Sequence, residues 1–200
     1  MTNVKTEGKS GLRDLTRASV RAHVAEVALR LFDENGFDAI TVDDIAAELG
    51  MSARSFFRYF PAKEDVVIGD PAPMGMLVRD AAAARPIGEP IWGVLRCAFD
   101  PIEIGTPDEV TKALRTMRVI MSTASLRARN LEKHIAWATM LEPVIITRLG
   151  GPDATREFRA RTLIHSALSC FDVALAEWTH RDGSTPIQTL LDEAFATIGG

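Results

Sequence analysis

Residues 41–66 read TVDDIAAELGMSARSFFRYFPAKEDV, and this stretch has the pattern of two short helices joined by a tight turn. Thr41 offers an N-cap hydroxyl and Asp44 stands three residues on, which is the aspartate form of a capping box. Gly50 is expected to end the first of these helices, and Ser52 is a fresh N-cap for the second. A helix, a glycine-containing turn and another helix together predict a helix-turn-helix.

A longer amphipathic helix is predicted before this module. Its apolar residues recur at the spacing of one helix face, namely Val20, Val24, Val27, Ala28, Leu31 and Phe32. If Gly36 takes the left-handed conformation after the last turn, Phe32 and Phe37 occupy the positions whose contact accompanies a Schellman ending. Pro61 and Ala62 break the chain after the module, and residues 63–68 are predicted to begin a fourth helix.

Helical periodicity continues through most of the chain, without a convincing run of alternating β-branched residues, so the predicted fold class is all-α. Residues 1–68 are predicted to form an N-terminal arm and a three-helix DNA-binding domain, and residues 69–200 a larger helical domain. Glycine and proline breaks delimit its predicted helices, which are 74–84, 91–99, 108–123, 126–149 with a kink near Pro143, 154–180 and 186–198.

The formal net charge of −4 argues at first against a nucleic-acid partner, because phosphate binding requires clustered Lys and Arg. The distribution of basic and acidic residues along the chain is more informative than the net charge. Residues 1–21 hold five basic side chains against two acidic ones, and residues 51–63 hold three against none. Two basic segments therefore flank the helical module, as expected for a DNA-binding surface.

Other features of the sequence exclude several classes of protein. The N-terminus is polar and the chain has no apolar run of the roughly 18 residues that a membrane span requires, so we expect a cytoplasmic protein without a membrane partner. Cys97 and Cys170 are expected to be buried free thiols. No metal-ligand spacing, phosphate-binding glycine loop or nucleophile-and-base arrangement is present, so we expect no metal, no cofactor and no catalytic residues. The scattered histidines are expected to be satisfied core or surface residues.

The stretch from Thr16 to Ile68 resembles the DNA-binding domain of the tetracycline-repressor (TetR) family. The resemblance lies in the G-F after the first helix, the T-x-x-x-I-A-x-x-x-G second helix and the S-x-x-x-F-F-x-Y-F-x-x-K third helix, which occur in order. It implies contacts of Thr41, Val42 and Lys63 with the DNA backbone. Many relatives carry tyrosine where this chain has Phe57, so that phosphate contact is absent here.

The residues themselves indicate the same surface. Arg54, Ser55 and Arg58 project from a short helix without acidic neighbours and can donate to guanine edges or phosphates. Phe56 and Phe60 are expected to pack inward, whereas Tyr59 keeps a hydroxyl for phosphate and Lys63 opens the fourth helix. The predicted DNA-binding residues are Thr41, Val42, Ser52, Ala53, Arg54, Ser55, Arg58, Tyr59 and Lys63. For Arg13, Arg17 and Arg21 two alternatives stand, namely contact with the DNA backbone or an arm free in solvent.

For the larger domain, the resemblance implies a pocket for a small effector and a four-helix dimer interface built from the last two long helices of each protomer. Large or adaptable side chains of the middle helices are the pocket candidates, although core packing is an alternative for each: Trp92, Phe99, Met117, Met121, Trp137 and Met140. Two apolar stripes are the candidates for the dimer interface, with packing inside one subunit as the alternative: Leu163, Ala167, Phe171, Ala174, Trp178, Ile187, Leu190, Leu191, Ala194 and Phe195.

The leading hypothesis is a homodimeric repressor that binds a palindromic double-stranded operator and is released by a small molecule. A second is an enzyme with a helical fold that carries a helix-turn-helix. A third is a DNA-binding or adaptor protein that has no effector.

Overall fold

The computed structural model describes residues 7–199, except for the side chains of residues 7–10, 12, 13, 153 and 154. The described residues form ten α-helices and no strand, so the predicted all-α class is confirmed. The helices are α1 Glu7–Asn35, α2 Val42–Glu48, α3 Ala53–Phe57, α4 Asp65–Ile68, α5 Pro71–Ala84, α6 Ile91–Cys97, α7 Pro107–Ser122, α8 Ala124–Arg148, α9 Asp153–His180 and α10 Ile187–Gly199.

The chain divides into two compact units. The first unit contains the described residues up to Gly69 and also the segment Val119–Arg127, whereas the second unit contains Asp70–Arg118 and the described residues from Ala128 onward. The additional segment comes from the corner between α7 and α8, and its apolar side chains Val119, Ile120 and Leu126 are buried. The first unit is therefore assembled from two separate parts of the sequence, which the predicted division into residues 1–68 and 69–200 did not anticipate.

The turn after α1 differs in one detail from its prediction. Gly36 has φ 87°, and the Phe32 and Phe37 rings lie 4.8 Å apart, as expected. The Gly36 amide, however, donates to the Phe32 carbonyl at 2.9 Å, and this is the bond of the simpler αL motif rather than of a Schellman ending.

The Schellman pattern occurs instead at the end of α2. Gly50 has φ 62° and donates to the Ala47 carbonyl at 3.1 Å, while Met51 donates to the Ala46 carbonyl at 2.9 Å. These two bonds satisfy the last carbonyls of α2 and turn the chain directly toward α3. The glycine is needed here because a left-handed φ is costly for residues with a Cβ.

The second unit has a continuous apolar core to which α5 through α10 contribute. Phe99 of α6 stacks on Phe171 of α9 with ring centroids 4.9 Å apart and an interplanar angle of 7°. Trp92 anchors α6 to α10, since its Nε1 donates to the Phe195 carbonyl at 3.0 Å. Helix α8 runs through Pro143, where a kink was predicted, and the hydroxyl of Thr147 donates to the Pro143 carbonyl at 2.8 Å.

Within the part of the chain that the structure describes, no helix is both long enough and apolar enough to cross a bilayer. Both cysteines are free. Cys170 is buried as expected, whereas Cys97 is only half-buried, and burial raises the pKa of both thiols. A raised thiol pKa disfavours the reactive thiolate.

Candidate nucleic-acid interface

The start of α2 has the predicted capping box. The Thr41 hydroxyl accepts from the Asp44 amide at 3.2 Å, and the Asp44 carboxylate accepts from the Thr41 amide at 2.8 Å. The Thr41 hydroxyl also donates to the Asp44 carboxylate at 2.6 Å, and this bond, together with the one from the Thr41 amide, lowers the pKa of Asp44. Thr41 is exposed and Val42 half-buried at the helix N-terminus, a position from which backbone amides and a hydroxyl can meet phosphate. Their contact with DNA stays a prediction.

Helix α3 has a buried side and an exposed side. Ser52 caps it by accepting from the Ser55 amide at 3.2 Å, as predicted. Phe56 and Phe60 are 0% and 2% exposed and pack against each other with centroids 5.5 Å apart, which confirms that they point inward. Because this apolar side is held fast, the opposite side is left toward solvent: Arg54 and Arg58 are exposed, and Ala53, Ser55 and Tyr59 are half-buried.

Arginines of α1 hold the C-terminal end of α3. The Arg21 guanidinium donates to the Tyr59 carbonyl and lies over the Phe60 ring, 4.4 Å from its centroid. Arg17 donates to the Arg58 carbonyl at 3.3 Å and lies 5.9 Å from the centre of the Tyr59 ring. Cationic donors at a helix C-terminus satisfy its free carbonyls and interact favourably with its dipole.

Neither alternative considered for these residues anticipated this role. Arg17 and Arg21 are neither free in solvent nor solely available to DNA, because each binds a carbonyl at the end of α3. Only their i, i+4 spacing, which places both on one face of α1, was visible in the sequence. The side chain of Arg13 lies outside the described residues.

Lys63 is also engaged within the first unit. Its Nζ donates to the Phe37 carbonyl at 2.6 Å and to the Ile40 carbonyl at 2.7 Å, and it lies 3.9 Å from the centre of the Phe37 ring. Burial lowers the pKa of Lys63. Helix α4 begins at Asp65, so Lys63 precedes it instead of opening it as predicted. An ammonium has three N–H groups, so these two bonds leave one for a phosphate.

We expect Arg21→Met to weaken operator binding by about tenfold and to lower the stability of the first unit by about 1–2 kcal/mol, since a charge-assisted hydrogen bond to α3 is lost. Base preference should persist. Binding titrations and thermal denaturation would measure both effects. Arg30→Met is the matched control, because Arg30 lies on the same helix but its ion pair with Glu48 faces solvent. A lower salt dependence of DNA binding in Arg21→Met would contradict a purely positioning role and identify a phosphate contact.

The six pocket candidates differ in burial and in the contacts that hold them. Phe99 and Trp137 are 0% and 3% exposed and belong to the core, and Trp137 Nε1 donates to the Pro71 carbonyl at 2.9 Å. Trp92 is held against α10, and Met121 is exposed and belongs to the first unit. Met117 and Met140 are half-buried in the second unit, and Met140 and Trp137 lie beside Gly75. Their role as effector contacts stays a prediction.

A buried polar cluster in the second unit was missed at the sequence level. His134 is 2% exposed, its Nδ1 lies 3.1 Å from Asp172 Oδ2, and its Nε2 is buried without a hydrogen-bond partner among the described residues. The Lys133 ammonium lies 5.2 Å from the centre of the Trp137 ring, and burial lowers the pKa of Lys133 to about 8. His134 is therefore a core residue, as expected, but only one of its nitrogens is satisfied.

The stripes expected at a dimer interface pack inside their own chain. Most of their members are at most 4% exposed, namely Ala167, Phe171, Ala174, Trp178, Ile187, Leu190, Leu191 and Phe195, while Leu163 and Ala194 are half-buried against the same core. An amphipathic stripe that is covered by neighbouring helices of one chain is not available to a partner. The alternative of packing within one subunit therefore describes these side chains.

Comparisons with known proteins agree with the helix-turn-helix. A model of bacterial regulatory proteins of the tetR family matches residues 24–68, and a model of the MftR C-terminal domain matches residues 89–200. The chain is 28% identical over 190 residues to the mycofactocin biosynthesis transcriptional regulator MftR of Mycobacterium tuberculosis, covering 92% of this chain and 91% of that protein. It is also 28% identical to the HTH-type transcriptional regulator TcmR of Streptomyces glaucescens, covering 86% and 79%.

A solved structure has the same fold. It is Thermus thermophilus FadR, a TetR family transcriptional repressor in complex with lauroyl-CoA, with a TM-score of 0.53 and 23% identity over 88% of this chain and 91% of that one.

Proposed function

Because the chain belongs to the TetR family of bacterial regulatory proteins, we propose that it is a homodimeric repressor that leaves a palindromic operator when a small molecule binds. Its similarity to named transcriptional regulators extends over about nine-tenths of the chain. The chain is accordingly a DNA-binding transcriptional regulator and not an enzyme, which sets aside the hypothesis of a catalytic helical domain.

The observation that carries the proposed DNA contact is the division of α3 into two sides. Phe56 and Phe60 are buried and hold one side of the helix, while Arg54 and Arg58 are exposed on its other side. Such a helix can enter a major groove with its N-terminal residues against base edges. Arg54 lies near that N-terminus and has a planar fork that matches guanine O6 and N7, whereas Arg58 lies further along, where phosphate is the expected partner.

Dimerisation is proposed through the exposed face of α9 instead of its buried stripe. The exposed residues of this face recur at helical spacing, with an apolar residue at each end of the row. They are Phe158, Thr162, His165, Ser169 and Val173. Phe158 is 72% and Val173 64% exposed, so each offers apolar area that a partner subunit could cover. The exposed Ile198 of α10 is a further candidate for the interface.

Release by a small molecule is the proposed regulation, and a regulator without an effector is the alternative. A thermal-shift screen of metabolites distinguishes them, because a ligand that binds only the folded protein stabilises it by RT ln(1 + [L]/Kd). Lauroyl-CoA, which accompanies Thermus FadR, belongs in the screen as one compound among others.

The test of DNA recognition begins with selection of bound fragments from random DNA, and enrichment of a palindromic sequence is the expected result. On that operator, Arg54→Ala should cost about 1–3 kcal/mol of binding free energy and relax preference at one position of each half-site. Titrations on the operator and its single-base variants measure both. Failure to enrich any sequence would contradict the proposed function.

Lys63→Ala is the companion variant, and we expect it to weaken binding to all sequences about equally. If the third N–H group of Lys63 meets a phosphate, the slope of log K against log salt should fall by about one unit for each half-site. If Lys63 only joins the Phe37 and Ile40 carbonyls, the slope should stay unchanged while the melting temperature falls. An altered base preference in Lys63→Ala, with Arg54→Ala unaffected, would mean that α3 docks in another orientation.

A further inference from the structure

A cleft of about 720 Å³ opens in the second unit between the C-terminal end of α5, the start of α6 and the last turns of α8. This volume is in the range of small-molecule sites. Its lining includes Ile87, Glu89, Ile91, Val144, Thr147 and Arg148. None of the side chains that the sequence suggested for an effector pocket is in this lining.

Part of the wall of the cleft is aliphatic. The aliphatic lining residues include Ile91, Val144 and Leu149. No aromatic side chain is among the described residues that line the cleft. Ile87 lies in the loop between α5 and α6 and is 98% exposed, so an isoleucine side chain stands almost fully in water beside the cleft. Aliphatic walls without aromatic faces favour a saturated chain over a planar ring system, because they offer no stacking partner. Covering Ile87 would add to the apolar area that such a ligand buries.

One cationic group of the lining has no ion pair among the described residues. The Arg148 guanidinium donates to the carbonyls of Ala83 at 3.0 Å, Arg85 at 2.6 Å and Pro86 at 3.0 Å. Glu89, the carboxylate of the lining, is bound at both oxygens by Arg85 at 2.8 Å. This bond lowers the pKa of Glu89, and the nearby charge of Arg148 contributes a smaller effect in the same direction. A guanidinium has five N–H groups, so Arg148 keeps donors for an anion.

We propose that the cleft binds a medium-chain aliphatic carboxylate, with the chain against Ile87, Ile91 and Val144 and the carboxylate at Arg148. The ligand makes a charge-assisted hydrogen bond through its carboxylate and apolar contacts along its chain. These two kinds of contact give the ligand one orientation in the cleft. As a binding site the cleft stands on its own geometry, whereas its role as the effector site rests on the proposed function.

The same arginine offers a route for regulation. Arg148 belongs to α8, and its three hydrogen bonds secure the last turn of α5 and the two residues that follow it. Helix α5 begins at Pro71, directly after the N-terminal part of the first unit ends at Gly69. A ligand carboxylate that binds the Arg148 guanidinium weakens the hydrogen bonds of this guanidinium to the carbonyls at the end of α5. Ligand binding and the position of α5 are therefore coupled through one side chain.

Titration calorimetry on the full chain tests the site, with decanoate and decylammonium as probes. We expect decanoate to bind and decylammonium to bind at least about tenfold more weakly, because Arg148 repels a cation. Thr147→Trp, at an exposed position of the lining, should obstruct the cleft and weaken decanoate by about tenfold or more. Thr139→Trp is the matched control, because Thr139 is exposed on the same helix, outside the cleft, and makes the same hydrogen bond to the carbonyl four residues before it.

Equal binding of the two probes would overturn the assignment of Arg148, and decanoate binding that Thr147→Trp leaves unchanged would overturn the cleft. Operator binding is measured separately. Decanoate that binds in the cleft without lowering operator affinity would support the site and overturn its coupling to DNA. A chain that selects no operator yet binds decanoate, with sensitivity to Thr147→Trp, would refute the proposed function and leave the site supported.

Discussion

Phe171→Asp is expected to unfold the second unit rather than to separate two subunits. Phe171 is 3% exposed, stacks on Phe99 and lies 6.0 Å from Trp137 between ring centroids. The substitution removes a packed ring, at about 3–5 kcal/mol, and buries an unpaired carboxylate at a further cost of several kcal/mol. Together these losses approach the whole stability of a typical domain. Circular dichroism should show loss of helix or a collapsed thermal transition.

Val173→Asp is the matched control, because it places the same charge two residues along α9 on a side chain that is 64% exposed. We expect this variant to keep its helix content and melting temperature but to become monomeric by light scattering, since its carboxylate enters the proposed dimer face. A folded monomer from Phe171→Asp would contradict the packing of Phe171 within its own chain. A dimer that survives Val173→Asp would place the interface away from this face of α9.

The second large effect is expected from Lys133→Met, which should raise stability at pH 7 by about 1–3 kcal/mol. Burial lowers the pKa of Lys133 from 10.5 to about 8, so the folded state disfavours the ammonium that both states carry at pH 7. Methionine removes this penalty and keeps an apolar side chain of similar length. The lost cation–π contact with Trp137 offsets part of the gain.

The pH dependence of the free energy of unfolding tests independently whether the Lys133 ammonium destabilises the folded state. Between about pH 8 and 10.5 the unfolded chain binds more protons at Lys133 than the folded chain does, so this residue makes stability rise with pH in that range. Lys133→Met should lack that rise in chemical denaturation series, whereas Lys112→Met, at an exposed lysine of α7, should retain it. A Lys133→Met profile parallel to that of the unsubstituted chain would show that the ammonium is solvated in the folded state.

Features that depend on residues within one turn of each other were predictable from the sequence. The Thr41–Asp44 capping box, the Ser52 cap and the end of α2 at Gly50 involve partners at most five residues apart. Their hydrogen-bonding groups are fixed by the helix ends themselves, and so the sequence alone locates the helix-turn-helix. The inward orientation of Phe56 and Phe60 followed from helical periodicity in the same way.

Features that join distant parts of the chain were not predictable. Arg21 meets a carbonyl 38 residues away, and Lys63 meets carbonyls 26 and 23 residues before it. An isolated basic residue in a sequence has the same appearance whether it binds phosphate or a helix terminus. The apolar stripe of α9 likewise predicts a buried face without saying whether α6 and α10 or another subunit covers it. Only the packing of Phe171 on Phe99 decides between these two.

The segment Val119–Arg127 has a consequence for how such regulators can be recombined. A hybrid that joins the N-terminal residues of one family member to the rest of another replaces the chain up to about Gly69 but retains the recipient's α7–α8 corner. Val119, Ile120 and Leu126 would then have to fit a surface that they did not evolve with. Exchange of the complete first unit therefore takes two grafts rather than one crossover, and this corner is the place to look for compensating substitutions when a single-crossover hybrid fails.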